Sequence, residues 1–156
     1  MINVQGDEPF IEPSLIEALV NSFSNSEISM ASAMSKINNV KDLHNSNVVK
    51  VVTDFHNNAL FFSRSLLPFP RDVKEISASN KVLEKGQFFR HIGIYGYRKD
   101  FLLKFVNMEQ SYLEKVEKLE QLRALENGFK IKMIEAESSL IGIDTQEDYE
   151  EALKKY

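Results

Sequence analysis

Runs of β-type residues alternate with runs at helical spacing along this chain. That alternation restricts it to an α/β fold with a mixed sheet. Ile2 to Gln5 reads as a short buried strand. Pro13 opens a helix at a first-turn position, and Leu15, Ile16, Leu19, Val20 and Phe23 recur at helical spacing. Ile28 to Ser35 is the next expected strand. Val48 to Thr53 and Ala59 to Phe62 flank the turn-rich Asp54-Phe55-His56-Asn57-Asn58, which predicts a hairpin. Leu67 to Asp72, with Pro68 and Pro70, should be irregular, and Val73 to Gly86 is loop-like. Phe88 to Tyr97 reads as a strand and Asp100 to Val106 as a short helix. Ser111 to Asn127 is expected to be the longest helix, closed by Gly128. Phe129 to Ile134 and Leu140 to Ile143 complete the strands, and Thr145 caps a last helix with Asp148 three residues on.

Residues 1–156 are the right length for a single domain, with 43% hydrophobic and 27% charged residues. A net charge of −4 argues against general nucleic-acid binding, which needs a basic surface. No apolar run reaches membrane-spanning length. There is no basic n-region with an apolar h-region, and no cysteine, which fits a cytoplasmic protein.

Two aspartates each follow a strand directly. Asp7 ends the first in Met1-Ile2-Asn3-Val4-Gln5-Gly6-Asp7-Glu8-Pro9, and Asp144 follows Leu140-Ile141-Gly142-Ile143. In one parallel sheet both carboxylates would leave on the same edge, where open α/β folds bind ligands. Hard oxygen donors there suit Mg²⁺ beside phosphates. On spacing alone a simpler reading leads: Asp144 caps the last helix and Asp7 makes a turn. Arg64 and Arg71 flank the proline-rich segment and offer forks for a carboxylate or phosphate, or only surface ion pairs. His91 and Tyr95 lie four residues apart in one strand and so face the same side. For a lone histidine, a hydrogen-bonded core position is the commoner role. Glu120 and Gln121 fall on the expected long helix, where a solvated face is the ordinary reading. No P-loop, GxGxxG, HExxH or Ser/His/Asp signature is present.

Together these segments resemble one family, the 3-deoxy-manno-octulosonate (Kdo) cytidylyltransferases, or CMP-Kdo synthetases. The matching stretches are Asn3–Pro9, Asn47–Val52, Phe62–Ser65, Arg90–Arg98, Leu119–Arg123 and Gly142–Thr145, followed by Glu147-Asp148. They run in family order across the chain. The RHIGIYGYR and LEQLR segments are specific, whereas the GDEP turn is shared by sugar nucleotidyltransferases in general. The resemblance implies a Rossmann-like nucleotidyltransferase sheet and transfer of CMP from CTP to the anomeric hydroxyl of Kdo, for lipopolysaccharide synthesis. It implies that Asp7 and Asp144 hold Mg²⁺ and that Gln5 lies near the nucleotide. It places Arg64, Arg71, His91, Tyr95, Glu120 and Gln121 around Kdo, and it implies a homodimer joined near the hairpin.

The family carries roughly a further third of chain before the Gln5 motif, within ordinary domain sizes. That part holds the first strands of the sheet and the loop that grips the CTP phosphates. The expectation is therefore a truncated domain with the sugar side of the site, little activity alone, and an N-terminal partner segment. Gln146 and Tyr112 stand where the family commonly has proline. Two alternatives stay open: an acylneuraminate cytidylyltransferase, and an inactive fragment that acts as a dimerising or split-enzyme partner.

Overall fold

A computed structural model of the chain describes residues 1–6, 11–72, 82–83 and 87–136. The described strands are β1 (Ile2–Val4), β2 (Met30–Lys36), β3 (Lys50–Thr53), β4 (Ala59–Ser63), β5 (Phe89–Tyr97) and β6 (Ile131–Glu135). The helices are α1 (Pro13–Ser22), α2 (Val40–His44), α3 (Lys99–Phe105), α4 (Tyr112–Glu117) and α5 (Leu122–Glu126). The expected strand at 140–143 and the last helix, with Asp144, lie outside the described residues, as does Asp7.

The six strands form one mixed α/β sheet in the order β4-β3-β5-β2-β6, with β1 also paired to β5. Among these strands only β2 and β6 pair in parallel, as a mixed sheet requires, and the relation of β1 to the expected strand at 140–143 lies outside the described residues. β5 is antiparallel to both β1 and β2. Consequently β1, β2 and β6 point the same way, and β1 brings Gln5 beside Gly93, midway along β5.

Each face of the sheet has its own core. On one face Leu15 and Leu19 of α1 pack on Ala31, Ala33, Ile92 and Ile94. Small residues on β2 let the helix lie close. The Arg98 guanidinium ties the loop after α1 by donating to the carbonyls of Phe23, Asn25 and Ile28. On the other face Met30, Met34, Tyr95, Tyr97 and Met133 meet Phe62 of the hairpin and the helices α3 to α5. The hairpin curls across this face until Asn57 accepts a hydrogen bond from the Met133 amide at 2.7 Å. Its tip is shaped by Asp54, whose carboxylate accepts from the His56 and Asn58 amides.

The long helix expected at Ser111–Asn127 is broken in two. Lys118 adopts φ 57°, ψ 45° and ends α4. Leucine at every third position drifts about 60° around a helix per step, so a straight helix could not keep the whole stripe buried. The break returns Leu119 and Leu122 to the core, while Val116 is left exposed. Glu114 and Arg123 hold the resulting corner as a buried pair. Gly128 does close α5, at φ 78°.

Candidate functional site

A cleft opens where the β5 edge changes partners. β3 pairs at Phe89 and Arg90, and β1 pairs from Ile94 onward. Between them the His91 amide donates to Val49, and Gly93 accepts from the Gln5 amide. The gap continues into a cavity of about 400 Å³. Its floor is His91, Gly93 and Tyr95, its walls are Gln5, Asn47 to Val49, Arg64 and Arg90, and Lys118 to Gln121 cover it.

Gly93 is required by close approach. A Cβ there would strike the side-chain amide of Gln5, so the glycine lets Gln5 lie across β5 into the cleft. His91 and Tyr95 do face the same space, with ring centroids 5.4 Å apart. Burial, with the Arg90 charge second, pushes the His91 imidazole down to about 3. The ring is neutral at pH 7.

Arg64 is held as a pre-aimed cation. Its Nε donates to the Glu117 carbonyl at 2.8 Å and its Nη1 to the Ser46 carbonyl at 2.9 Å. The Glu117 carboxylate bonds instead to the Ser63 hydroxyl and the Arg64 backbone amide. Neutral carbonyls fix the guanidinium without cancelling its charge, and that leaves an anion site beside it. Beneath it Lys50 is fully buried, and its ammonium donates to the carbonyls of Asn45, Val48 and Arg64 at 2.9, 2.6 and 2.6 Å. Burial, and then the Arg64 charge, lower the Lys50 pKa to about 8.

Gln121 is 2% exposed, and its side-chain Nε2 has no hydrogen-bond partner among the described residues. A buried amide donor on a cleft wall is available to an acceptor that enters the cleft. Glu120 is exposed at the same turn. Neither lies within a long helix, contrary to the sequence expectation, because the break at Lys118 places both in the α4–α5 corner.

The fold thus brings Gln5, Arg64, His91, Tyr95, Glu120 and Gln121 around one cavity. Arg71 is exposed in a turn and is not part of its lining. Lys118, Arg90 and Asn47 line the cavity but were not singled out from sequence. Lys118 carried no signal, since its left-handed backbone is unmarked by glycine. Lys50 did carry one, a charged residue inside Val48-Val49-Lys50-Val51-Val52. Three cationic side chains (Arg64, Arg90 and Lys118) line the cavity against one carboxylate, Glu120. That balance of charge suits an anionic ligand.

Fold and cleft together describe an α/β protein with a polar, largely cationic cleft in its sheet. The family model for cytidylyltransferases matches residues 1–134, and the chain belongs to that family. A relative from Fusobacterium nucleatum, named 3-deoxy-manno-octulosonate cytidylyltransferase, is 46% identical over 98% of this chain and 59% of its own length. The protein of that name from Geobacter sulfurreducens is 47% identical over 99% of this chain and 63% of its length. The solved structure of a CMP:2-keto-3-deoxy-manno-octonic acid synthetase complexed with CTP superposes with a TM-score of 0.82 at 34% identity. It covers 99% of this chain and 61% of that one. The chain therefore spans about three fifths of the length of these relatives.

Proposed function

We propose that this chain forms the sugar-acid side of a cytidylyltransferase site, in an enzyme that transfers CMP from CTP to Kdo. The observation that carries the reading is the cleft with its fixed, uncancelled Arg64 and its orphaned Gln121 amide. The names of the matched relatives give the reaction, and the matched structure holds CTP.

In this reading the anomeric oxygen of Kdo bonds to the α-phosphorus of CTP. The bond to the bridging oxygen breaks, and pyrophosphate leaves with the electron pair. The hydroxyl proton leaves to solvent, and His91 acts as a neutral hydrogen-bonding group. Catalysis rests on positioning and charge. Arg64 meets the Kdo carboxylate. Gln121, Glu120 and Tyr95 read its hydroxyls, His91 accepts one, and Gln5 faces the nucleotide. Arg71 is assigned to Kdo on the family resemblance alone.

Among the described residues no cluster of acidic or histidine side chains could hold a metal. The ligands we propose for Mg²⁺ are Asp7 and Asp144, an oxygen donor set that suits this ion. Bound there, Mg²⁺ would neutralise phosphate charge. The nucleotide phosphates would be gripped from an N-terminal partner segment outside residues 1–156.

We further assign a homodimer formed through the hairpin. β4 is an edge strand of the sheet and carries exposed Leu60, with Phe55 fully exposed at the tip. Sedimentation should show a dimer that Leu60→Asp dissociates. A monomeric wild type would end this assignment. No helix among the described residues is long and apolar enough to cross a membrane. We place the enzyme in the cytoplasm, with CTP.

Calorimetric titration of the folded chain with Kdo and with N-acetylneuraminate tests the reading. Kdo should bind preferentially, and Arg64→Gln should weaken it roughly ten- to a hundredfold. Absence of Kdo binding refutes the sugar-side assignment, and preference for N-acetylneuraminate refutes the choice of acid. Mg²⁺-dependent pyrophosphate release from CTP plus Kdo reads the transfer itself.

A further inference from the structure

We propose that Ser32 is a positioning residue that fixes His91 as its Nε2–H tautomer, so that the bare Nδ1 is the acceptor offered to the cleft. The ligand half of this inference rests on the function proposed above. The tautomer half does not.

The argument starts in β5. Ser32 pairs with Tyr95 and Ala33 with Ile92, so Gly93 and Ile94 bulge out of the ladder with β2. Gly93 satisfies its carbonyl on the other edge, with the Gln5 amide. Ile94 is thus left without a register partner on β2. The Ser32 hydroxyl turns to its carbonyl: the Oγ lies 2.8 Å from the Ile94 oxygen, against 3.5 Å from that of Ile92. The same Oγ lies 2.7 Å from Nε2 of His91.

A hydroxyl has one proton. The Ile94 oxygen can only accept, so the short contact to it requires that proton. The contact to His91 then works only if Nε2 carries a hydrogen and donates to Oγ. In a neutral ring this leaves Nδ1 unprotonated. Burial keeps the ring neutral. No described residue bonds Nδ1, and His91 lines the cavity. The fully buried Ser32 thus converts a backbone bulge into a choice of tautomer.

The test is ¹⁵N–¹H NMR of the full chain with labelled histidine. The chain has three histidines, and His91→Asn assigns the signal. Wild type should show His91 as the pure Nε2–H form. Ser32→Ala should populate the Nδ1–H form, and Ser32→Thr, which keeps the hydroxyl, should restore the original. A wild-type His91 in the Nδ1–H form overturns the proposal and needs no variant to fold. So does a folded Ser32→Ala that keeps the pure Nε2–H form. Kdo affinity should fall roughly tenfold in Ser32→Ala and recover in Ser32→Thr. Unchanged affinity despite a switched tautomer refutes the ligand half. If wild type binds no Kdo while the tautomer is as expected, the proposed function fails and the Ser32 lock stands.

Discussion

Replacing Arg123 with methionine should unfold this chain far more easily at neutral pH than in acid. Arg123 and Glu114 meet through two hydrogen bonds, of which Nε to Oε2 is 2.7 Å. Their side chains are only 13% and 6% exposed. Methionine keeps much of the stem volume but leaves the Glu114 carboxylate buried, with only the Ser111 amide still donating to it. Breaking a buried pair from one side costs about 3–5 kcal/mol. Loss of the guanidinium over the Phe105 ring, 5.0 Å from its centroid, acts in the same direction. For a domain of this size that corresponds to a fall in Tm of roughly 6–20 °C.

The pH dependence follows from linkage. Arg123 holds the Glu114 carboxyl below the usual carboxylate range. The stabilisation is therefore present above the unfolded value of about 4.3 and is lost as pH falls through the folded value. Chemical denaturation at pH 7 and again below pH 4 should show the variant's deficit shrinking. Glu114→Gln added to Arg123→Met should recover part of the loss at pH 7, because no buried charge is then stranded. A deficit under about 1 kcal/mol at pH 7, the value of an exposed pair, would refute the reasoning. A deficit equal at both pH values would refute it as well.

Gly93→Ala should leave the Tm nearly unchanged but weaken Kdo binding roughly tenfold, since the new methyl displaces the flexible Gln5 amide from the cleft. Parallel thermal melts and titrations check this, and undiminished affinity would contradict it. Gly128→Ala should cost about 1 kcal/mol, because φ 78° is unfavourable for an L side chain. Denaturant titration reads it, and Gly128→Asn should lose less.

The hairpin and β5 were legible because their residue types and turn chemistry agree with the sheet that holds them. β5 runs Phe89 to Tyr97 with His91 and Tyr95 on one face, as the period of a strand requires. The α4–α5 corner was not legible. Leu113 to Leu125 looks like one helix, and no glycine or proline marks the left-handed Lys118. What breaks the helix is tertiary: burial of Leu119 and Leu122 and the Glu114–Arg123 pair outweigh local continuity. Glu120 and Gln121, which the family resemblance assigns to the sugar, do line the cavity, but from the corner and not from the long helix expected. The bulge had a visible cue in Gly93, a glycine inside a strand pattern. Ser32 had none, since a serine in a strand is unremarkable until a bulge is found beside it.

The buried ammonium under Arg64 makes ligand charge measurable. Lys50 sits at a pKa of about 8 because burial, and then the Arg64 charge, disfavour its protonated form, against smaller help from Glu117 and Asp42. A carboxylate bound at Arg64 would offset that repulsion and raise the Lys50 value. At pH values just above 8 the free chain then holds fewer protons than the complex, so binding must take up protons. For a rise of one unit the uptake reaches about half a proton midway between the two values. At pH 6 Lys50 is already protonated and the uptake should vanish. Calorimetry of Kdo binding in buffers of different ionisation enthalpy measures the proton count directly, with Lys50→Met as the control that removes it. Lys50→Met loses the donor to three carbonyls and should itself be about 2–4 kcal/mol less stable, so the comparison belongs well below its Tm. Binding with no uptake near pH 8.5 would mean that the acid does not lie at Arg64, and the electrostatic case for the cleft would fall with it.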